Sequence, residues 1–187
     1  MATLDFWFDY SCPYAYLAST QIEALAAQAG AHIVWKPMLL GGVFSAIGAP
    51  QILPLSPQKA RYLLVDQLRW ADVYGVELRH PPQHPRRTVS ALRATLARAN
   101  EPAIIHAFYR AYWVEGRAIE DIDVVREIAG DCDLESQREP LRRNTGEAVA
   151  LGIFGAPAIV VNGSMFWGND RLEMVASALT AANAMVT

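Results

Sequence analysis

Cys12 stands between an apolar run that ends at Asp9 and a proline, Pro13, with Ser11 beside it. Proline suits the first position of a helix, where its missing amide proton costs nothing. A cysteine just ahead of a helix faces unpaired amide protons and the positive end of the helix dipole. That setting favours thiolate over thiol and can bring a cysteine pKa from ~8.5 down to ~3.5–7.5. The opposing reading makes Cys12 a small apolar filler at a strand end. Residue 15 is alanine, so the dithiol Cys-x-x-Cys is absent, and Cys12 acts as a single thiol or with a partner's thiol. Ser11 offers its hydroxyl either to an anion or to the helix as a cap. Cys132, between Asp131 and Asp133, is read as structural.

Two further places could meet a ligand. Gly155-Ala156-Pro157 leads into a late strand, and a proline there removes a donor and can leave the Ala156 backbone free to pair with a peptide-like ligand. Asp170 with Glu173 reads either as a helix-capping box or as a carboxylate that holds a ligand's ammonium group. Lys36, Lys59, Arg61, Arg86 and Arg87 are the cations a small anionic substrate would want. His80 and His84 have metal-like spacing, but Pro81 and Pro82 forbid the shared helical face, so no metal is expected. There is no Gly-rich phosphate loop and no Gly-x-Ser-x-Gly elbow.

The elements that must position these residues are legible from periodicity. Thr3 to Asp9 alternates as a strand, and Pro13 to about Ala29 carries Tyr14, Ala18, Ile22, Leu25 and Ala29 on one helical face. His32 to Lys36 is a second strand, which makes a β-α-β unit with a crossover helix. From Met38 to about Ala150 the pattern is helical, over Pro57–Tyr74, Arg86–Ala99, Pro102–Glu115, Asp121–Ala129 and Leu134–Leu151. Strands resume at Ala158–Asn162, turn at Asn162-Gly163 and return over Ser164–Trp167, before a last helix from Asp170 to about Ala182. The whole is one open α/β sheet interrupted by a helical insertion.

The chain has 187 residues, 52% of them hydrophobic, enough for a packed core. A net charge of −3 argues against a general nucleic-acid partner. No apolar run approaches the roughly 18 residues a membrane crossing needs. The N-terminus lacks a basic flank and carries Asp5 and Asp9, so it does not read as a signal peptide. A cytoplasmic protein with reduced cysteines and no membrane contact is the expectation.

The run Phe8-Asp9-Tyr10-Ser11-Cys12-Pro13-Tyr14 resembles the start of 2-hydroxychromene-2-carboxylate isomerases, relatives of kappa-class glutathione transferases with the DsbA-like thioredoxin fold. So do Trp35-Lys36-Pro37-Met38-Leu39-Leu40-Gly41-Gly42, Lys59-Ala60-Arg61-Tyr62 and Tyr112-Trp113-Val114-Glu115-Gly116. The closing blocks, Gly152 to Pro157 and Phe166 to Leu172, are the most specific, and all fall in the family's order. The resemblance implies a thioredoxin-like domain from residues 1–40 plus 151–187, a helical insertion domain at 41–150, and a homodimer. It implies glutathione bound where the two domains meet, with Pro157 as the fold's cis-proline and the Ala156 backbone on the cysteinyl part. Asp170 and Arg171 would meet the γ-glutamyl end, and Lys59 matches the family's ligand-binding lysine.

The implied reaction is glutathione-dependent cis–trans isomerisation of an aromatic carboxylate, by thiolate addition, bond rotation and elimination. Cys12, with Ser11 beside it, occupies the catalytic position. The sequence departs from the pattern at two places. Cys12 stands where the isomerases carry serine, and Gly48-Ala49 stands where Gly-Asn is common. Two other readings accompany the isomerase: a thiol-disulfide oxidoreductase or kappa-like transferase that uses Cys12, and a non-catalytic binder of a peptide or small molecule.

Overall fold

The computed structural model describes residues 1–50 and 55–184. Strand β1 (Thr3–Phe8), helix α1 (Pro13–Gln28) and strand β2 (His32–Pro37) come first. Six helices follow: α2 (Leu40–Ala46), α3 (Pro57–Tyr74), α4 (Val89–Ala97), α5 (Pro102–Trp113), α6 (Ile122–Ala129) and α7 (Arg138–Ala150). The chain then closes with β3 (Ala158–Val161), β4 (Ser164–Trp167), a 3-10 turn at Asn169–Arg171 and α8 (Leu172–Ala184). The strands lie in the order β2-β1-β3-β4. β1 runs parallel to β2, joined by α1, and antiparallel to β3, which pairs antiparallel with β4. Asn162 and Gly163 both hold positive φ, 47° and 78°, as a two-residue hairpin turn requires. This is a thioredoxin-like β-α-β and β-β-α arrangement interrupted by helices.

Central β1 is covered on both faces. Leu4, Phe6, Trp7 and Phe8 are all at or below 1% exposure, so Trp7, on the face its alternation with Asp5 would leave polar, is as buried as Phe6. Lys36 Nζ sits 5.1 Å from the Trp7 ring centroid and pairs with Glu147 of α7 at 3.1 Å. The inserted helices share the sheet's core. The Tyr10 ring lies 4.9 Å from that of Tyr109 on α5, edge to face, and Phe8 is 5.9 Å from Trp35 on β2.

Four elements differ from the sequence expectation, each for a local reason. Helix α2 was not anticipated, because a Leu-Gly-Gly start carries poor helix propensity. Its glycine allows close packing, since a Cβ at Gly42 would lie 3.0 Å from Thr145 Cγ2 of α7. Helix α4 begins at Val89 instead of Arg86, with Thr88 as its N-cap residue. Helix α7 begins at Arg138 instead of Leu134, because Asp133 accepts from the amides of Glu135 and Ser136 and holds a turn there. The buried residues of α1 are Ala15, Tyr16, Leu17, Ala18, Ser19, Ile22 and Ala26, a face rotated from the expected stripe that leaves Tyr14, Leu25 and Ala29 half-buried. No helix among the described residues is long and apolar enough to cross a membrane.

Candidate functional site

Asp9, one residue beyond β1, organises the turn that leads into α1. Its carboxylate, 1% exposed, accepts from the Ser11 amide at 2.9 Å, the Ser11 hydroxyl at 3.0 Å and the Leu40 amide at 2.8 Å. The Thr88 side chain is a fourth donor. Leu39 and Thr88, the N-cap residues of α2 and α4, give their own helices no side-chain cap. Asp9 supplies the negative charge that the start of α2 lacks. Burial raises its pKa, and the hydrogen bonds from Ser11, Leu40 and Thr88 oppose that rise without cancelling it. Sequence alone marks Asp9 as a strand end, a charge in the apolar N-terminal run and a motif residue. Its one local signal is a carboxylate embedded in Phe-Asp-Tyr, and the partners that explain it arrive from Leu40 and Thr88.

Cys12 is the N-cap residue of α1, 8% exposed, and its backbone N–H bonds the Asp9 carbonyl at 3.1 Å. Its thiol donates to the carbonyl of Ala156 at 3.0 Å. The structure therefore brings Cys12 and the Gly-Ala-Pro loop together, and the Ala156-Pro157 bond is cis. Among the described hydrogen bonds none uses the Ala156 N–H. The sequence expectation is a thiolate, and burial works against it. Burial pushes the Cys12 pKa up to about 12, and the amides of Ala15 and Tyr14, which pull it down, do not compensate. The helix end faces the sulfur as expected, but desolvation outweighs it.

Beside this turn opens a cavity of about 750 Å³ whose walls include Asp9, Ser11, Leu40, Phe44, Arg86 and Arg87. Ser11 thus reaches a cavity as well as bonding Asp9, and it does not cap α1. Of the five cations singled out in the sequence, Arg86 and Arg87 line the cavity. Arg86, with a side chain 13% exposed, is clamped by Glu120 at 2.7 Å and Gln83 at 2.7 Å. Arg87 has no ion pair among the described residues.

The segment that carries these arginines is pinned from behind. The Arg86 amide donates to the Tyr112 hydroxyl at 2.9 Å, and that hydroxyl lies 2.8 Å from His84 Nδ1. The Tyr112 hydroxyl thus ties the Arg86 amide to the His84 ring, with the direction of the His84 bond set by the imidazole tautomer. Burial, helped by His80, lowers the His84 pKa to about 4 from 6.5. Both histidine rings pack on Trp113, with centroids 6.4 Å apart. Between pH 6.5 and 4 the unfolded chain takes up a proton that the folded chain refuses, so acidification across this window disfavours folding. The urea midpoint of wild type is expected to fall more steeply across it than that of His84→Gln, and equal slopes would refute the assignment.

The remaining predicted residues lie elsewhere. Asp170 and Arg171 pair with each other at 2.8 Å, and Asp170 lines a separate groove between α1, α3 and the 3-10 turn. Asp170 accepts from Arg171, and no capping bond to Glu173 is among the described contacts. The turn is nonetheless tied to the Cys12 region, because the Gly168 amide donates to the Pro157 carbonyl at 3.0 Å. Gly168 has φ 105°, and a Cβ there would stand 2.5 Å from Asp170 Oδ1, so the pair needs glycine at that position. Lys59, exposed in the first turn of α3, has no ion pair among the described residues and no described contact with Cys12 or Asp170. Helix α3 does reach α1 through the Tyr14 hydroxyl, which donates to Asp66 at 2.8 Å. Lys36 is committed to Glu147 and Trp7.

Residues 3–180 match the family model of the DSBA-like thioredoxin domain. The chain is 31% identical to a 2-hydroxychromene-2-carboxylate isomerase of Sphingobium xenophagum, over 95% of this chain and 97% of that one. It is 28% identical to glutathione S-transferase kappa 1 of Caenorhabditis elegans, over 94% and 90% of the two chains. A solved 2-hydroxychromene-2-carboxylate isomerase superposes with a TM-score of 0.80 at 29% identity, covering 99% of each chain.

Proposed function

The chain belongs to the DsbA-like thioredoxin family, and we propose that it is an enzyme of glutathione-dependent cis–trans isomerisation, acting on an aromatic carboxylate. The observation that carries this reading is the juxtaposition at the start of α1. A buried, protonated thiol on the Ala156 loop stands next to Ser11, whose cavity is walled by Phe44 and two arginines. Glutathione fits the groups present. The amides of Tyr14 and Ala15 and the thiol of Cys12 are donors for a sulfur anion, and the Ala156 N–H, without a partner among the described hydrogen bonds, suits a peptide backbone. When bound, glutathione supplies a thiolate that adds to a conjugated alkene, lets the new single bond rotate, and leaves.

The chain's own part is binding and orientation. Cys12 donates its hydrogen to the ligand sulfur in place of Ala156, as a serine would in the related isomerases. Arg87 takes the substrate carboxylate, and Arg86 holds the wall in place through Glu120. Asp170, Arg171 and Lys59 are kept as contacts to the outer parts of glutathione. This enzyme works in the cytoplasm, where Cys12 and Cys132, both free, stay reduced. A homodimer has exposed apolar side chains available on α3, at Tyr62, Leu64, Val65, Leu68 and Val73.

Absorbance of the chromene substrate, followed with and without glutathione, tests the reading. A rate independent of glutathione overturns it. Arg87→Gln is expected to raise KM by about tenfold or more, the worth of a charge-assisted hydrogen bond, with a smaller change in kcat.

A further inference from the structure

On the other side of α2 from the Ser11 cavity lies a second hollow, of about 480 Å³, between α2, α4 and α7. Leu39, Val89, Leu141 and Val149 make an apolar wall, and the charged groups among its described lining residues are Arg93, Arg138 and Arg142, with no acid among them. Two of the arginines pair at the surface. Arg138 reaches Glu135 at 3.5 Å, and Arg142 meets Glu139 through Nη2 at 2.8 Å and Nε at 3.0 and 3.1 Å, with all four side chains more than half exposed. Exposed pairs of this kind are worth little and give way to a better anion. Arg93 is different. Its side chain is 20% exposed, Nη1 pairs with Glu135 at 3.1 Å, and its buried Nε has no partner. A buried guanidinium nitrogen without an acceptor is a costly feature unless something supplies one.

Gly146 gives the hollow its depth. It sits inside α7 with ordinary helical backbone, where glycine is unfavourable, and a Cβ there would meet nothing within 4 Å. An apolar wall with a few convergent cationic groups is the usual form of a site for a small amphipathic anion. We propose that this hollow is a second binding site, for an apolar monocarboxylate whose carboxylate meets Arg93 and whose hydrocarbon body lies against Leu141 and Val149. The site stands independently of the isomerase reading, because none of its arginines lines the Ser11 cavity.

Methyl NMR with 2-naphthoate as the probe tests it. Millimolar 2-naphthoate is expected to shift the methyl signals of Leu141 and Val149, and the neutral 2-naphthamide to bind about tenfold more weakly or worse. Gly146→Leu, which places a side chain in open space, abolishes those shifts and leaves those of Leu40, which reports on the Ser11 cavity. Arg93→Gln weakens binding by about tenfold; should it fail to fold, Arg142→Gln, at an exposed position, replaces it with the same expected direction. Shifts confined to Leu40, equal binding of the amide, or unaltered Leu141 and Val149 shifts in Gly146→Leu would each overturn the proposal.

Discussion

Cys12→Ser is expected to keep glutathione-dependent isomerisation within a few-fold of wild type, while Cys12→Ala lowers kcat/KM by about tenfold to a hundredfold, the worth of ~1.5–3 kcal/mol for a hydrogen bond to a charged group. The reasoning rests on the proton. A pKa pushed up to about 12 leaves Cys12 a thiol at neutral pH, hydrogen-bonded to Ala156. A group in that state is a donor and not a nucleophile, since the thiolate carries cysteine's reactivity. Serine offers a stronger donor from the same backbone position, whereas alanine offers none. Two measurements separate this from thiol-disulfide chemistry. Iodoacetamide at neutral pH should label the half-buried Cys132 before Cys12 and label Cys12 more slowly than free cysteine. The ultraviolet thiolate absorbance of glutathione, titrated in the presence of protein, should show a lower pKa with wild type and Cys12→Ser than with Cys12→Ala. Loss of activity in Cys12→Ser would favour the oxidoreductase instead.

The same residue shows which parts of the architecture can be read from the chain and which cannot. Pro13 at the first turn of α1 and Asn162-Gly163 at the hairpin are local chemistry, and both act where they were expected. The meeting of Cys12 with Ala156 follows from β1 pairing with β3, a consequence of topology and thus also legible. The protonation state is not. The amides that lower the thiol's pKa come from the next three residues, but the burial that raises it comes from packing across the whole fold. Helix α1 illustrates a further limit. Its sequence is so rich in alanine that several faces look equally apolar, and contact with the sheet, α3, α5 and α8 selects which residues, from Ala15 to Ala26, are buried. Arg86 and Arg87 were legible as cations near a site, but their unequal states were not. Glu120, Gln83 and Tyr112, which hold Arg86 and do not hold Arg87, are spread from residue 83 to 120.

Asp9→Ala is expected to carry the largest cost to stability, about 3 kcal/mol, because it strands several buried and half-buried donors at about 1 kcal/mol or more each. Ser11 and Leu40 would each lose the acceptor of a backbone N–H, and the start of α2 would lose its compensating charge. Asp9→Asn retains an acceptor for Ser11 but turns an NH₂ group toward Leu40 N–H, donor against donor, so it falls between wild type and alanine. Urea unfolding of the three proteins checks the order, and an alanine variant within about 0.5 kcal/mol of wild type would remove Asp9 from this role. The pH dependence carries a sign. Burial raises the folded pKa of Asp9 above the ordinary 3.8, so between the two values the folded chain holds a proton that the unfolded chain has lost. The stability difference between wild type and Asp9→Ala should therefore widen as pH falls through the folded pKa, opposite in direction to the His84 effect. Because Asp9 joins Ser11, the start of α2 and Thr88, the variant should also open the Ser11 cavity. KM for the aromatic carboxylate then rises even where the protein remains folded, a consequence absent if Asp9 serves stability alone.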